Sequence, residues 1–253
     1  MEPAPVLDGD PDLPGFDPER AQALLAALEA AVAEGVRPDA PDALDPVHRA
    51  RELQRLLALR GGALPAATVA AVWRELEAAR LHRAGVLRIA VWGGARPELA
   101  AALARRRFGA APRLVATRTP EQAVEAAHAP GVVSVLALEG PWWGRLLARP
   151  QVRVFAAAWP ELAPGAPLAL AVAAVPTDAT GDDRTFWITD AAGPPERVEA
   201  RLGEAGFAAD LAAEAGGLML WSLAGYVQPS DPRLARAPGR LTGVIGAAPG
   251  PIR

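Results

Sequence analysis

The sequence predicts an α/β chain, α+β overall. It has a helical N-terminal arm, a small and mostly parallel α/β unit, and a C-terminal α+β unit. Three observations carry this expectation. Residues 86–143 alternate apolar runs with helical stretches: VLRIAVW, Gly93-Gly94, a helical run to Phe108, RLVAT, a short helix, and VVSVLAL up to Glu139. Continuous apolar strands alternating with helices of this length point to a sheet covered on both faces and joined by right-handed crossovers. Residues 18–85 instead hold three stretches with helical apolar spacing, and residues after 150 hold short strands around one helix.

The arm divides at its breakers. Asp17-Pro18 opens a helix to about Glu34, with Leu24, Leu25, Leu28 and Val32 at helical spacing. Residues 35–46 are rich in Asp and Pro and form a loop. A second helix covers about Val47 to Arg60, with Leu53, Leu56 and Leu57 facing inward, and Gly61-Gly62 ends it. A third starts at Pro65, carries Val69, Val72, Trp73 and Leu76 on one face, and stops at Gly85. Ahead of them, residues 1–17 form a draped acidic arm. Asp8, Asp10 and Asp12 alternate there, but Leu13 stands where a calcium loop needs its glycine.

In the α/β unit, Thr119, Pro120 and Gln122 form a helix start with a capping box. Gly93-Gly94 joins a strand to a helix, either as a tight turn or as a place where backbone amides hold an anion. The pattern G-x-G-x-x-G is missing, so no nicotinamide site is expected. Trp142-Trp143 either lines a pocket for an aromatic ligand or caps the sheet. Strands follow at Val152–Ala157 and Leu168–Val175. The polar loop Thr180-Gly181-Asp182-Asp183 leads into Arg184-Thr185-Phe186-Trp187-Ile188. The tail has a helix from about Pro195 to Ala205 and strands from about Phe207, over Leu218–Leu223 and through Leu241–Ile245.

Composition removes whole classes of chemistry. There are no cysteines, and all 26 basic residues are arginine, so thiolate sites, Schiff-base lysines and phosphate-loop lysines are excluded. A net charge of −3 leaves no basic footprint for nucleic acid. No apolar run approaches the roughly 20 residues of a membrane span, and the acidic, proline-rich start is the wrong chemistry for a signal peptide. The expectation is a cytoplasmic protein without nucleic-acid or membrane partners. Ser134, Ser222 and Ser230 lie in no nucleophile-elbow setting, and His48, His82 and His128 share no metal spacing, so neither metal nor cofactor is expected. Asp182-Asp183 reads as a solvated pair or as an acid and base. Arginine remains. Arg49, Arg51, Arg55, Arg74, Arg80 and Arg83 lie on the helical arm and Arg184 precedes a strand. Guanidinium forks suit dicarboxylates, and a rearrangement without covalent catalysis needs only positioning and charge.

Two stretches carry a family resemblance. The segment RIAVWGGARPELAAALARRRFGAAPRLVATRTPEQAVEAAHAPGVVSVLALEG resembles the opening of prephenate dehydratases. Their strand-end motif is matched by Ala137-Leu138-Glu139-Gly140-Pro141, of which the glutamate is kept. Their Thr-Arg-Phe motif is similar to Arg184-Thr185-Phe186 with the first two residues exchanged. The end, Val244-Ile245-Gly246-Ala247-Ala248-Pro249, is similar to the close of the ACT domain that follows in that family. HRARELQRLLALRGGALPAATVAAVWREL resembles the second and third helices of all-helical chorismate mutases.

The resemblance implies a division into an arm (1–17), a mutase-like helical region (18–85), a dehydratase-like α/β unit (86–190) and an ACT-like unit (191–253). It implies a protein of phenylalanine and tyrosine biosynthesis that, if catalytic, rearranges chorismate to prephenate, with a prephenate dehydratase as the less favoured alternative. Arg51, Glu52 and Arg49 are then catalytic, with Arg49 and Arg51 as competing registers for one role. Glu139, Arg184 and Thr185 contact substrate. A homodimer through the N-terminal helices and a small aromatic-pathway ligand complete the expectation. The chain has no lysine to supply the mutase family's own. A second reading is therefore carried beside the first: a non-catalytic relative that binds or senses such a ligand.

Overall fold

The computed structural model describes residues 18–33, 45–60, 64–85, 87–160 and 165–251. The acidic arm, its alternating aspartates, the Gly61-Gly62 stop and most of the 35–46 loop lie outside them. Three helices come first: α1 (Pro18–Ala33), α2 (Pro46–Leu59) and α3 (Ala66–Arg83). Then come β1 (Arg88–Trp92), α4 (Pro97–Phe108), β2 (Leu114–Ala116), α5 (Pro120–Ala126) and β3 (Val132–Ala137). A 3-10 helix at Trp142–Ala148 leads to β4 (Arg153–Ala158) and β5 (Ala169–Ala173). The rest is β6 (Asp183–Thr189), α6 (Pro195–Glu204), β7 (Ala209–Ala215), β8 (Leu218–Ala224), a second 3-10 turn at Pro232–Arg236, and β9 (Thr242–Pro249).

Local chemistry explains the helix ends. Thr119 Oγ accepts from Gln122 N at 3.3 Å, and Gln122 Oε1 accepts from Arg118 N at 3.0 Å, so the capping box closes one residue early. Helix α3 stops where Gly85 turns to φ 70° and its N–H returns to the carbonyl of His82.

All nine strands form one mixed sheet, in the order β2-β1-β3-β5-β4-β9-β6-β8-β7. This corrects the expectation of a mostly parallel α/β unit. Only β2-β1-β3 runs parallel there, while β5 is antiparallel to both β3 and β4. The apolar runs of β4 and β5 report burial on both faces but not direction. Direction follows from the connection over residues 159–168, which is shorter than the dozen or more residues a parallel crossover needs. Nor does the sheet break near residue 190. Strand β6 pairs antiparallel with both β8 and β9, and β9 meets β4 in parallel at Val154 and Gly246.

Helix α4 packs Ala100, Leu103 and Ala104 on one face of the sheet, against Ile89, Val91, Val133 and Val135. On the other face, α5 and the first 3-10 helix bury Ala123, Val124, Trp142, Trp143 and Leu146 against Leu136, Leu170, Phe186 and Ile245. Trp142 and Trp143 are 2% and 0% exposed, edge to face with ring centroids 6.1 Å apart, and Trp142 Nε1 donates to the Ala137 carbonyl at 2.8 Å. Of the two sequence readings of this pair, capping the sheet is the one observed. Helix α6 sets Val198 and Leu202 on Trp187 and Trp221, the side of β6 and β8 opposite Phe186 and Leu220.

The arm forms an outer layer. Helices α1 and α2 both pack on α3, and α3 packs on α4. The buried stripe of α3 is Ala70, Glu77, Ala78 and Leu81, not the expected Val69, Val72, Trp73 and Leu76. Small residues let α3 approach α4 closely. Gly109, just after α4, lies so near Ala78 that a methyl group there would collide with it. Of the leucines expected to face inward on α2, Leu53 and Leu57 are half-buried and Leu56 is 38% exposed; on α1, Leu24 and Leu25 are 62% and 56% exposed.

Candidate anion site at the helix junction

The residues expected to act fall into three separate places. Arg49, Arg51 and Glu52 share α2. Arg51 reaches away from the arm, donating from Nη2 to the Ala179 carbonyl at 2.9 Å and pairing with Asp178 at 3.6 Å. Glu52 pairs with His48 one turn earlier, at 3.1 Å. Arg49 faces α3, where its Nη1 lies 3.8 Å from Glu77 Oε2. Sequence left Arg49 and Arg51 as alternatives for one role. The fold points them at different neighbours.

Glu139 sits at the carboxyl ends of β1 and β3. The loop after β1 leads to α4 on one face, and the loop after β3 leads to the 3-10 helix on the other, so the sheet has its topological switch point here. Open α/β sheets bind ligands at such a crevice. In this chain the position belongs to its own carboxylate. Glu139 Oε2 accepts from Ala95 N at 2.8 Å, and Oε1 lies 4.0 Å from Arg96 Nε. Gly94 takes φ 55°, and a side chain there would collide with that carboxylate. The amide at the Gly93-Gly94 turn does hold an anion, an internal one.

Arg184 and Thr185 lie on β6. Arg184 pairs with Asp210 of β7 at 2.9 Å. Thr185 is fully buried; its hydroxyl donates to the Gly225 carbonyl at 2.7 Å and accepts from Val227 N at 2.8 Å. Both hydrogen bonds hold the segment after β8, so the hydroxyl serves the fold. Asp183 is likewise engaged, accepting from Thr180 N, Thr180 Oγ and Gly181 N at 2.7, 2.7 and 3.1 Å. That makes it the anchor of a turn.

The cluster with unspent charge lies where α2, α3 and α4 meet. Glu77 is buried between Arg49 and Arg80, whose Nη1 donates to it at 2.6 Å. Beyond this group lie Arg74 of α3 and Arg106 and Arg107 of α4. Arg106 Nη2 donates to the Trp159 carbonyl. Arg107 stacks over the neighbouring Phe108 ring, 5.3 Å from its centroid. Neither Arg74 nor Arg107 has a carboxylate partner among the described residues, and Arg74 Nε is buried with no hydrogen-bond acceptor.

The electrostatics record the cost. Burial and the neighbouring Arg74 and Arg49 push the Arg107 pKa down to about 9. Burial and Arg106 lower that of Arg74. Burial also lowers Arg49, opposed by Glu77 and more weakly by Glu52 and Asp45, with Arg80 adding to the lowering. Guanidinium keeps its proton at neutral pH, so the junction carries concentrated positive charge with donors to spare. Of these residues, the sequence reading placed Arg49 in the site, noted Arg74 only as an arm arginine, and missed Arg107. The signal was the Arg105-Arg106-Arg107 run, which also suits the negative end of α4.

An open groove of about 530 Å³ also lies between α1 and α3, lined by Leu28, Glu29, Val32, Ala33, Leu76 and Arg83. It contains none of the expected site residues. Among the described residues no group of three or more His, Asp or Glu side chains is placed to hold a metal ion, and no helix is long and apolar enough to cross a membrane. No family model, no curated protein and no solved structure matches the chain.

Proposed function

We propose that the chain is a chorismate mutase-like protein of aromatic amino-acid biosynthesis that recognises a small dicarboxylate of that pathway through its helical arm, and that recognition, not rearrangement, is its role. One observation supports this most: Arg49, a residue the family resemblance singles out, sits half-buried beside Glu77 and next to Arg74 and Arg107, which have no carboxylate partner among the described residues. Such forks hold carboxylates in fixed geometry.

The catalytic reading is weaker for a reason of geometry. Rearrangement requires several groups converging on one enclosed substrate, because enclosure removes the water that screens them. Arg51 and Asp178 are more than half exposed at their side chains, and Glu52 is paired with His48. The prephenate dehydratase reading has less support, because the hydroxyl of Thr185 is committed to Gly225 and Val227. Exposed Leu24, Leu25, Leu56 and Leu59 on the outer face of the arm suit self-association through these helices, and a homodimer belongs to the proposal.

The test has two parts. Chorismate consumption followed by ultraviolet absorbance, at high protein concentration, should show no turnover above the uncatalysed rate. Calorimetric titration with chorismate and with prephenate should show saturable binding that Arg49→Ala weakens. Turnover that Arg51→Ala abolishes would replace this reading with a mutase. An absence of binding by either compound would remove it.

A further inference from the structure

We infer that Arg74 and Arg107 form the receiving pair of a dianion site at the junction of α2, α3 and α4, and that a bound dianion fastens the helical arm to the sheet. The choice of an aromatic-pathway dicarboxylate as ligand rests on the proposed function. The site itself rests on the geometry.

Arg74 Nε is buried with no acceptor, and Arg107, half-buried over the Phe108 ring and within the field of Arg74, has no carboxylate partner among the described residues. Burying a polar donor without an acceptor costs free energy, and placing like charges beside it adds to the cost. A chain with no functional use for the arrangement gives up little by replacing Arg107: its contact with Phe108 is one that any long side chain makes in part, and Arg105 and Arg106 still face the negative end of α4. Arg74 belongs to the arm and Arg107 to the helix that covers the sheet. An anion accepting from both would therefore add a bridge between two layers already joined by α3–α4 packing, by Ala110 N donating to Glu75 and by Arg51 donating to Ala179.

The ligand charge follows from the local balance. Glu77 is already shared by Arg49 and Arg80, and Arg106 has the Trp159 carbonyl. Arg74 and Arg107 are left as two neighbouring guanidinium forks without a carboxylate among the described residues, and two such forks fit a dicarboxylate or a phosphate monoester better than a single carboxylate. These residues lie outside the Arg49–Arg51–Glu52 set, and one of them belongs to the α/β unit.

The experiment is thermal unfolding of the full chain in prephenate, in inorganic phosphate, and in sodium chloride at matched ionic strength. The proteins are wild type, Arg74→Gln, Arg107→Gln and Arg118→Gln. Arg118 is an exposed arginine in the short loop between β2 and α5, with the same charge to lose. The expected result is a saturable rise in melting temperature for wild type and Arg118→Gln with a dianion and not with chloride. Arg74→Gln and Arg107→Gln should show at least a tenfold weaker response. Without ligand, Arg107→Gln should melt at the same temperature as wild type or higher, because the substitution removes a repelled charge; a residue serving the fold alone would lower it. A response to phosphate and not to prephenate would keep the site and remove the pathway reading. A prephenate response that survives both substitutions would keep the pathway reading and overturn the site. No dianion-specific rise in wild type, or a lower ligand-free melting temperature for Arg107→Gln, would overturn it as well.

Discussion

The backbone of Gly246 lies directly against that of Val154, and this contact is the parallel register point joining β9 to β4. Gly246 takes φ 143°, and a Cβ there would fall inside the main chain of Val154. A bulge in the β6–β9 pairing, between Phe186 and Trp187, sits at the same level. Arg153 crosses the seam, donating to the Val244 carbonyl at 3.0 Å. Gly246→Ala therefore meets both a φ that side chains avoid and a backbone that cannot yield. The expected loss is about 3 kcal/mol or more, read from urea unfolding monitored by circular dichroism. A loss below about 1 kcal/mol would mean that the two halves of the sheet part easily and that the seam is not essential.

Thr185 was expected to touch substrate, and its position in the fold leads to a different prediction. Replacing it with valine keeps the shape but leaves the buried Val227 amide unpaired, while the Gly225 carbonyl, on an exposed residue, turns to water. The expected cost is about 1–3 kcal/mol for the one orphaned group, and Thr185→Ser should recover most of it. Both are read from denaturant midpoints. Ligand affinity measured by calorimetry should be the same in folded wild type and Thr185→Ser. A valine variant as stable as wild type would show that the hydroxyl is not what holds the segment after β8.

Glu139 closes the crevice at the switch point, so its removal has two consequences. Glu139→Ala strips the Ala95 amide of its acceptor at the start of α4 and removes a negative charge from the positive end of that helix. Water reaches a side chain that is one-third exposed, which limits the loss to about 1 kcal/mol. Glu139→Gln keeps an acceptor and should fall between. Chemical unfolding would rank the three proteins. The opposite ranking, alanine above glutamine, would mean that the carboxylate is strained in place and not supported by the turn.

Much of this architecture is legible in the residues, because its signals are local. The Thr119-Pro120-Gln122 start, the Gly85 stop and the apolar runs of β1, β3, β4 and β5 each have a short-range cause, and the elements lie within a few residues of where these place them. What sequence does not carry is which runs become neighbours. Phe186 and Ile188 read as an isolated strand of a middle unit, yet they pack with Trp143, Leu220 and Ile245. The misread stripe of α3 has the same origin. Val72 and Leu76 are the larger residues, but Ala70 and Ala78 are buried because close approach to α4 requires small ones. The site follows suit. Arg49 is found from helical pattern and resemblance, whereas the pairing of Arg74 with Arg107 needs α3 laid on α4.

Acid should loosen the loop that Asp190 holds. Asp190 follows β6, and its Oδ1 accepts from the amides of Arg240 and Leu241 at 2.7 and 2.9 Å. Those hydrogen bonds hold its carboxyl below the usual aspartate range, with the Arg240 charge adding to them. The sign follows from the direction. A carboxyl whose folded pKa is depressed contributes stability that is complete above its unfolded value, about 3.9, and that is lost as pH falls through the lower folded value. The group is solvent-exposed, so the effect is small and salt-sensitive. Amide hydrogen exchange of Arg240 and Leu241 should accelerate, relative to neighbouring amides, as pH drops from about 4 toward 2. Asp190→Asn should remove that pH dependence while keeping one acceptor oxygen. An acceleration of equal size in the asparagine variant would assign the acid response to another group.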